Sequence, residues 1–189
     1  MWPGFDGPHI YSRAQWAARV AALPPAASIG WGPPIGVCLH NTSAPTLAQW
    51  KESGPSHDQR IANLLDYYTK QGWQHGPHAF VSRSNISGFS DLRQRGTHST
   101  CFNYSHFGVE MVGDYDHEEF DSGDGALVRD NAVFVLATLC RHFGWQPARA
   151  IVFHRQCVAD NHACPGAKVS AQAVIAKVAL LMATPGALA

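Results

Sequence analysis

The sequence predicts an α/β domain, a mixed central β-sheet flanked by helices on both faces. Three observations carry that expectation. Strand-like and helix-like apolar patterns alternate along the chain, an order that sets helices against a sheet. Two strand patterns end in histidine, at His40 and His154. The chain has 189 residues and 46% hydrophobic content, which suits one core of ordinary size.

The elements follow in order. Residues 1–34 are rich in Pro, Gly and Ala, and are read as an N-terminal arm packed on the domain of residues 35–189. The arm carries one short helix near Arg13–Ala22. Ile35–His40 is a strand, with Ile35, Val37 and Leu39 on one face and Cys38 and His40 on the other. Thr46–Glu52 is a short helical turn. Ser56 and Gln59 have capping-box spacing ahead of a helix carrying Ile61, Leu64, Leu65 and Tyr68, which Gly72 stops. His78–Ser82 is a short strand and Phe107–Val112 a longer one. Ala132, Leu136, Leu139 and Phe143 place a helix over Ala126–Phe143, ended by Gly144. Ala150–His154 is a further strand. Ser170 precedes a last helix with Val174, Ile175, Val178 and Leu181 on one face.

Composition excludes several classes. Lys+Arg and Asp+Glu both number 14, so the basic footprint of a nucleic-acid binder is absent. No apolar run reaches the length of a membrane span. The start, MWPGFDGPHI, lacks the basic and apolar regions of a secretory leader. Synthesis and residence in the cytoplasm are expected, with access to a cell wall only through a separate release system. The five cysteines are odd in number, and in a reducing compartment they are expected to be metal ligands or buried thiols, not disulfides.

The unusual count is histidine, at 11. If the strands ending at His40 and His154 are parallel neighbours, both imidazoles leave one edge of the sheet, a common site location in open α/β folds. A cysteine after His154 would complete a three-ligand zinc site with an open fourth position, the mark of catalytic zinc. Cys157 and Cys164 both qualify by spacing. Glu110 interrupts an apolar strand in FGVEMVG, where a carboxylate needs a partner, a cation or a solvated cleft. It either points out from an edge strand or serves catalysis.

Four strings occur in an informative order: SRAQW at Ser12–Trp16, LHNTSAP at Leu39–Pro45, GTHSTCFNYSHFGVEMVGDY at Gly96–Tyr115 and HRQCVADNHACPG at His154–Gly166. Together they resemble the zinc-dependent N-acetylmuramoyl-L-alanine amidases. That family includes phage-lysozyme amidases, cell-wall recycling amidases and animal peptidoglycan recognition proteins. The resemblance implies one Zn2+ per chain, held by His40, His154 and Cys164, with Cys157 left as a buried or peripheral thiol. It implies Glu110 as general base on the attacking water, as in recycling-type members. In the string PHAF, Pro77 replaces the tyrosine of phage-lysozyme relatives, which also turns attention to Glu110. His162 stands where relatives often carry an oxyanion-stabilising lysine, and is read as a weaker donor in that role or else as an exposed loop histidine. His98, in GTHS, matches a substrate-groove segment and is read either as a groove residue or as a residue behind the metal ligands, and Asn103 of the same segment is a weaker groove candidate. The implied reaction is cleavage of the amide between N-acetylmuramic acid and L-alanine by an endolysin. A recycling amidase acting on soluble muropeptides and a non-catalytic peptidoglycan-binding protein are the alternatives. The expected partner is peptidoglycan or a muropeptide, without nucleic acid or a membrane span, and the protein is expected to be a monomer.

The remaining histidines divide simply. His78 is read as a packed core residue, and His9, His57, His75, His106, His117 and His142 as surface groups. Trp31, Trp50 and Trp73 are read as core or rim packing, with stacking on sugar rings as the alternative.

Overall fold

The alternating pattern resolves into a six-stranded sheet in a computed structural model that describes residues 5–50 and 57–188. The strands are β1 (Phe5–Tyr11), β2 (Gly36–Asn41), β3 (Ala79–Val81), β4 (Ile86–Ser90), β5 (His106–Met111) and β6 (Ile151–Phe153). Their spatial order is β1-β4-β3-β5-β2-β6. β3, β5, β2 and β6 run parallel, while β4 is antiparallel to both β3 and β1. The sheet is therefore mixed, as expected. β1 meets β4 with an irregular register between Phe5 and His9.

The helices are α1 (Arg13–Ala21), α2 (His57–Lys70), α3 (Gly123–Phe143), α4 (Pro147–Ala150) and α5 (Ala171–Ala183). Local chemistry explains their ends. The Ser12 hydroxyl accepts from the Gln15 N–H and the Gln15 side chain accepts from the Ser12 N–H, a reciprocal cap on α1. Gly144 closes α3 in the left-handed region at φ 69°. The Ser170 hydroxyl caps α5 through the Ala173 N–H. The Ser56 of the expected α2 cap, and Lys51 and Glu52 of the expected turn, lie outside the described residues. The rest of that turn forms, with the Trp50 N–H bonded to the Thr46 carbonyl at 2.9 Å.

The two sheet faces differ. Val37, Leu39, Ala79, Val81, Phe107, Val109, Met111, Ile151 and Phe153 belong to one large buried cluster with Trp16 of α1, the interior of α3 and Val174 and Val178 of α5. Trp16 is fully enclosed, and its indole N–H donates to the Thr138 hydroxyl at 3.0 Å. The other face is split. Phe80, Phe89 and Val112 pack under Ile61 and Leu65 of α2 and Trp50. The rest of that face carries Cys38, His40, Gly108 and Glu110 on adjoining parallel strands, with the His98 ring set over Gly108.

Three expectations change. Residues 5–11 enter the sheet as its edge strand β1. His106 is buried, its ring against Phe102 and its Nδ1 beside the Ser105 hydroxyl at 2.8 Å. Burial lowers its pKa to about 4, so it is neutral and not a surface cation. Cys157 is no thiol: it is joined to Cys101 with the Cα atoms 5.5 Å apart, a separation normal for a disulfide. The two cysteines are 56 residues apart in sequence, and only the fold brings their loops together. Cys38, Cys140 and Cys164 are free and buried.

Candidate active site

Three strands and a returning loop build the site. β2 and β6 pair in parallel, Val37 with Ile151 and Leu39 with Phe153. His40 and His154, one at the end of β2 and one just past β6, therefore emerge at the same carboxyl edge, with ring centroids 4.5 Å apart. Cys164 returns because Arg155 holds its loop. The Arg155 N–H bonds the Cys164 carbonyl at 2.7 Å, and its guanidinium grips the carbonyls of Gly166 and Val169 at 2.8 and 2.6 Å. Gly166 has φ 102°, and a Cβ there would sit 2.5 Å from the Tyr115 carbonyl carbon, so the tight return needs glycine.

The sulfur of Cys164 lies 3.8 Å from His40 Nδ1 and receives the Asn41 backbone N–H at 3.2 Å. One donor atom each from His40, His154 and Cys164 falls within 4.8 Å of the others. Cys157, the competitor by spacing, is committed to its disulfide.

The hydrogen bonds set the tautomers. His98 Nε2 donates to the His106 carbonyl at 3.1 Å, so its Nδ1 accepts, and the donor 3.0 Å away is His40 Nε2. His40 Nδ1 is thereby left with a lone pair facing Cys164. His154 Nε2 donates to Asp160 Oδ2 at 2.9 Å, which leaves His154 Nδ1 unprotonated. Burial, with His98 and His154 nearby, holds His40 well below the ordinary imidazole range. His98 is pushed down to about 3, first by burial. Neutral imidazoles with oriented lone pairs, one buried sulfur and an outer partner for each ring are what a zinc site needs. The donor set thus fits the metal. Cys38, His40 and His98 form an overlapping grouping, but there the His40–His98 pair is occupied by its own hydrogen bond.

Glu110 sits on β5 beside His40 of β2 in register, on the same face. Burial alone raises its carboxyl to about 8. It does not face outward from an edge, because β5 lies between β3 and β2. His162 Nδ1 accepts the Cys164 N–H at 3.1 Å, and its ring stacks on His154 at 4.9 Å. In the neutral ring the proton is then on Nε2, available to a ligand.

Beside these groups opens a cleft of about 580 Å3, which His154 and His162 line together with residues including Tyr68, Trp73, His98 and Asn103. Asn103 is at its wall, but its Oδ1 is taken by the backbone N–H groups of His98 and Ser99 at 2.7 and 2.8 Å. Its work is to hold the His98 loop. Of the three tryptophans, Trp50 is buried, Trp31 packs edge-on to Phe107, and Trp73 is exposed at the cleft. His78 is buried, its Nδ1 accepting from the Gly108 N–H. Sequence reasoning missed Asp160 and the Cys101–Cys157 bridge. An acidic residue six positions after His154 was the only trace of the former, and nothing in the spacing marked the latter.

A family model for N-acetylmuramoyl-L-alanine amidase matches residues 30–167. The chain belongs to that family. This amidase is thus a peptidoglycan hydrolase by membership. No curated protein sequence matches it. Solved structures share its fold at low identity. The endolysin N-acetylmuramoyl-L-alanine amidase LysCS from Clostridium intestinale matches with TM-score 0.59 at 16% identity, covering 84% of this chain and 90% of that one. A point mutant of Drosophila PGRP-LB in complex with tracheal cytotoxin gives 0.60 at 20%, covering 93% and 94%. A mutant endolysin from Bacillus subtilis gives 0.56 at 19%, covering 77% and 85%. Among the described residues, no helix is long and apolar enough to cross a membrane.

Proposed function

We propose that this amidase is zinc-dependent and hydrolyses the amide between the lactyl group of N-acetylmuramic acid and L-alanine, acting on the cell wall as an endolysin does. The observation that carries the reading is the convergence of His40, His154 and Cys164, with Glu110 paired to His40 across the sheet, beside an open cleft that His154, His98 and His162 line. Zinc held by these three residues supplies Lewis acidity, which acidifies water and polarises the scissile carbonyl.

The chain's own residues do the rest. Glu110 takes the proton of the attacking water on a carboxylate oxygen and later returns it to the leaving amine. Burial raises the Glu110 carboxyl in the metal-free chain, and its ionised form is therefore a stronger base than an ordinary exposed carboxylate. His162 donates from Nε2 to the oxygen on which charge develops, weaker than a lysine but in place at the cleft wall. His98 and Asp160 keep the ligand rings in their metal-binding tautomers.

The test joins zinc content to amine release from purified peptidoglycan. Wild type is expected to hold about one zinc per chain and release amine, Cys164→Ser to lose both, and Glu110→Gln to keep zinc and lose turnover. Amine release from soluble muropeptides but not from intact wall would replace the endolysin assignment with a recycling role. Near wild-type cleavage by Glu110→Gln would remove Glu110 as the base.

A further inference from the structure

Two loops frame the cleft, one carrying Thr97–Ser105 and the other running from His154 to Cys164. Each supplies the outer hydrogen-bond partner of one ligand imidazole: His98 for His40, and Asp160 for His154. The loops are tied together at two points. A covalent tie joins Cys101 to Cys157. The other tie converges on one atom: Asp160 Oδ2 accepts from the Ser99 hydroxyl at 2.7 Å, the Thr100 N–H at 2.9 Å and His154 Nε2 at 2.9 Å. Two of those three donors come from the opposite loop. Asn103 completes the frame by holding the backbone of His98 and Ser99.

We propose that Asp160 and the Cys101–Cys157 bridge form a positioning clamp that sets the affinity of the metal centre. The inference rests on the zinc reading above and adds residues outside the ligand set. Asp160 lies six residues from His154 and could orient that ring without help. Its additional bonds to Ser99 and Thr100 fix the height of the His98 loop over the sheet, and through His98 the orientation of His40. One carboxylate oxygen thus holds both imidazoles, the first directly and the second through the loop. The bridge stops the loops from parting at the point where neither is held by a strand. An ionised carboxylate can only accept, so Asp160 dictates that His154 Nε2 carries the proton and Nδ1 faces the metal. Outer partners of this kind change metal affinity by about 10–100-fold when removed.

Zinc affinity of the purified full chain, measured by competition with a chromophoric chelator, tests the clamp without reference to turnover. Asp160→Ala is expected to weaken zinc binding at least tenfold. Asp160→Asn, which can still present an oxygen to His154 and Thr100, is expected to recover most of that loss. The double variant Cys101→Ser/Cys157→Ser is expected to weaken binding severalfold, and circular dichroism checks its fold. The Asp160 pair carries the decision if the double variant does not fold. Affinity within twofold of wild type for a folded Asp160→Ala, or an Asp160→Asn no better than Asp160→Ala, overturns the proposal. Wild type that binds no zinc would instead overturn the metal reading itself.

Discussion

Gly108 supports the site by lacking a side chain. It lies on β5 directly under the His98 ring, and a Cβ built there comes within 2.5 Å of two ring carbons. Ordinary contact begins near 3.4 Å, so Gly108→Ala has to move the ring by about 1 Å. The His98–His40 hydrogen bond is 3.0 Å long and does not survive that displacement. His40 is only 2% exposed, so its Nε2–H is left without solvent as a substitute. An unsatisfied buried donor costs about 1–3 kcal/mol. Alanine is otherwise better than glycine in a strand by about 0.5–1 kcal/mol, which offsets part of the loss. The net destabilisation is about 0–2.5 kcal/mol, or a fall in Tm of up to about 10 °C for a domain of this size. Zinc affinity falls about tenfold or more. Thermal unfolding of the metal-free protein and chelator competition read the two effects. His98→Ala supplies the control, because with the ring gone Gly108→Ala has nothing to strike and is expected to be neutral or stabilising. Equal cost in both backgrounds, or a Gly108→Ala protein with unchanged Tm and zinc affinity, refutes the reasoning.

Glu110 holds its proton up to about pH 8 in the folded metal-free chain, against 4.5 when unfolded, so it makes stability fall as pH rises between those values. His98, His78 and His106 are depressed and act oppositely below about pH 6.5, so the readout is the difference between wild type and Glu110→Gln melts across pH 5–9. That difference should grow with pH in favour of the variant; a flat difference removes the buried-carboxyl argument. Asn131 donates to the Ser82 and Arg83 carbonyls and accepts from Arg13 Nε, tying α3 to the end of β3 and to α1. Asn131→Ala should cost about 1–3 kcal/mol in urea unfolding, and a midpoint unchanged within error would show those groups find other partners. Free zinc at 100 times its Kd should raise wild-type stability by about 2.7 kcal/mol, and a chelator should abolish the gain. Cys164→Ser should show little of either effect; a full zinc response from that variant would place the metal elsewhere.

The readable parts of the sequence were those where one physical signal dominates. Alternation of Val37 and Leu39 against Cys38 and His40 marked β2, and the same pattern marked β5. Glycine at position 144 marked the end of α3. β1 was hidden because Gly7 and Pro8 break its pattern, and β4 because ISGFS is short and polar. The convergence of His40 and His154 followed from two strand ends once parallel pairing was assumed, which the sheet supplies. The choice between Cys157 and Cys164 did not follow from spacing, since it depends on which loop meets Cys101. The Asp160 network was unreadable for the same reason: Ser99 and Thr100 are about 60 positions away, and only the folded chain makes them neighbours.

The sheet also leaves little for another chain to copy. Exposed strand margins invite pairing between molecules, because their unmatched amides and carbonyls offer a ready template. Here one margin, β6, is three residues long. The other, β1, is interrupted by a shift in register and contains Pro8, which has no amide hydrogen to offer. Among the described residues, a protein with nearly half its residues hydrophobic thereby presents no long, uninterrupted strand margin to a second copy.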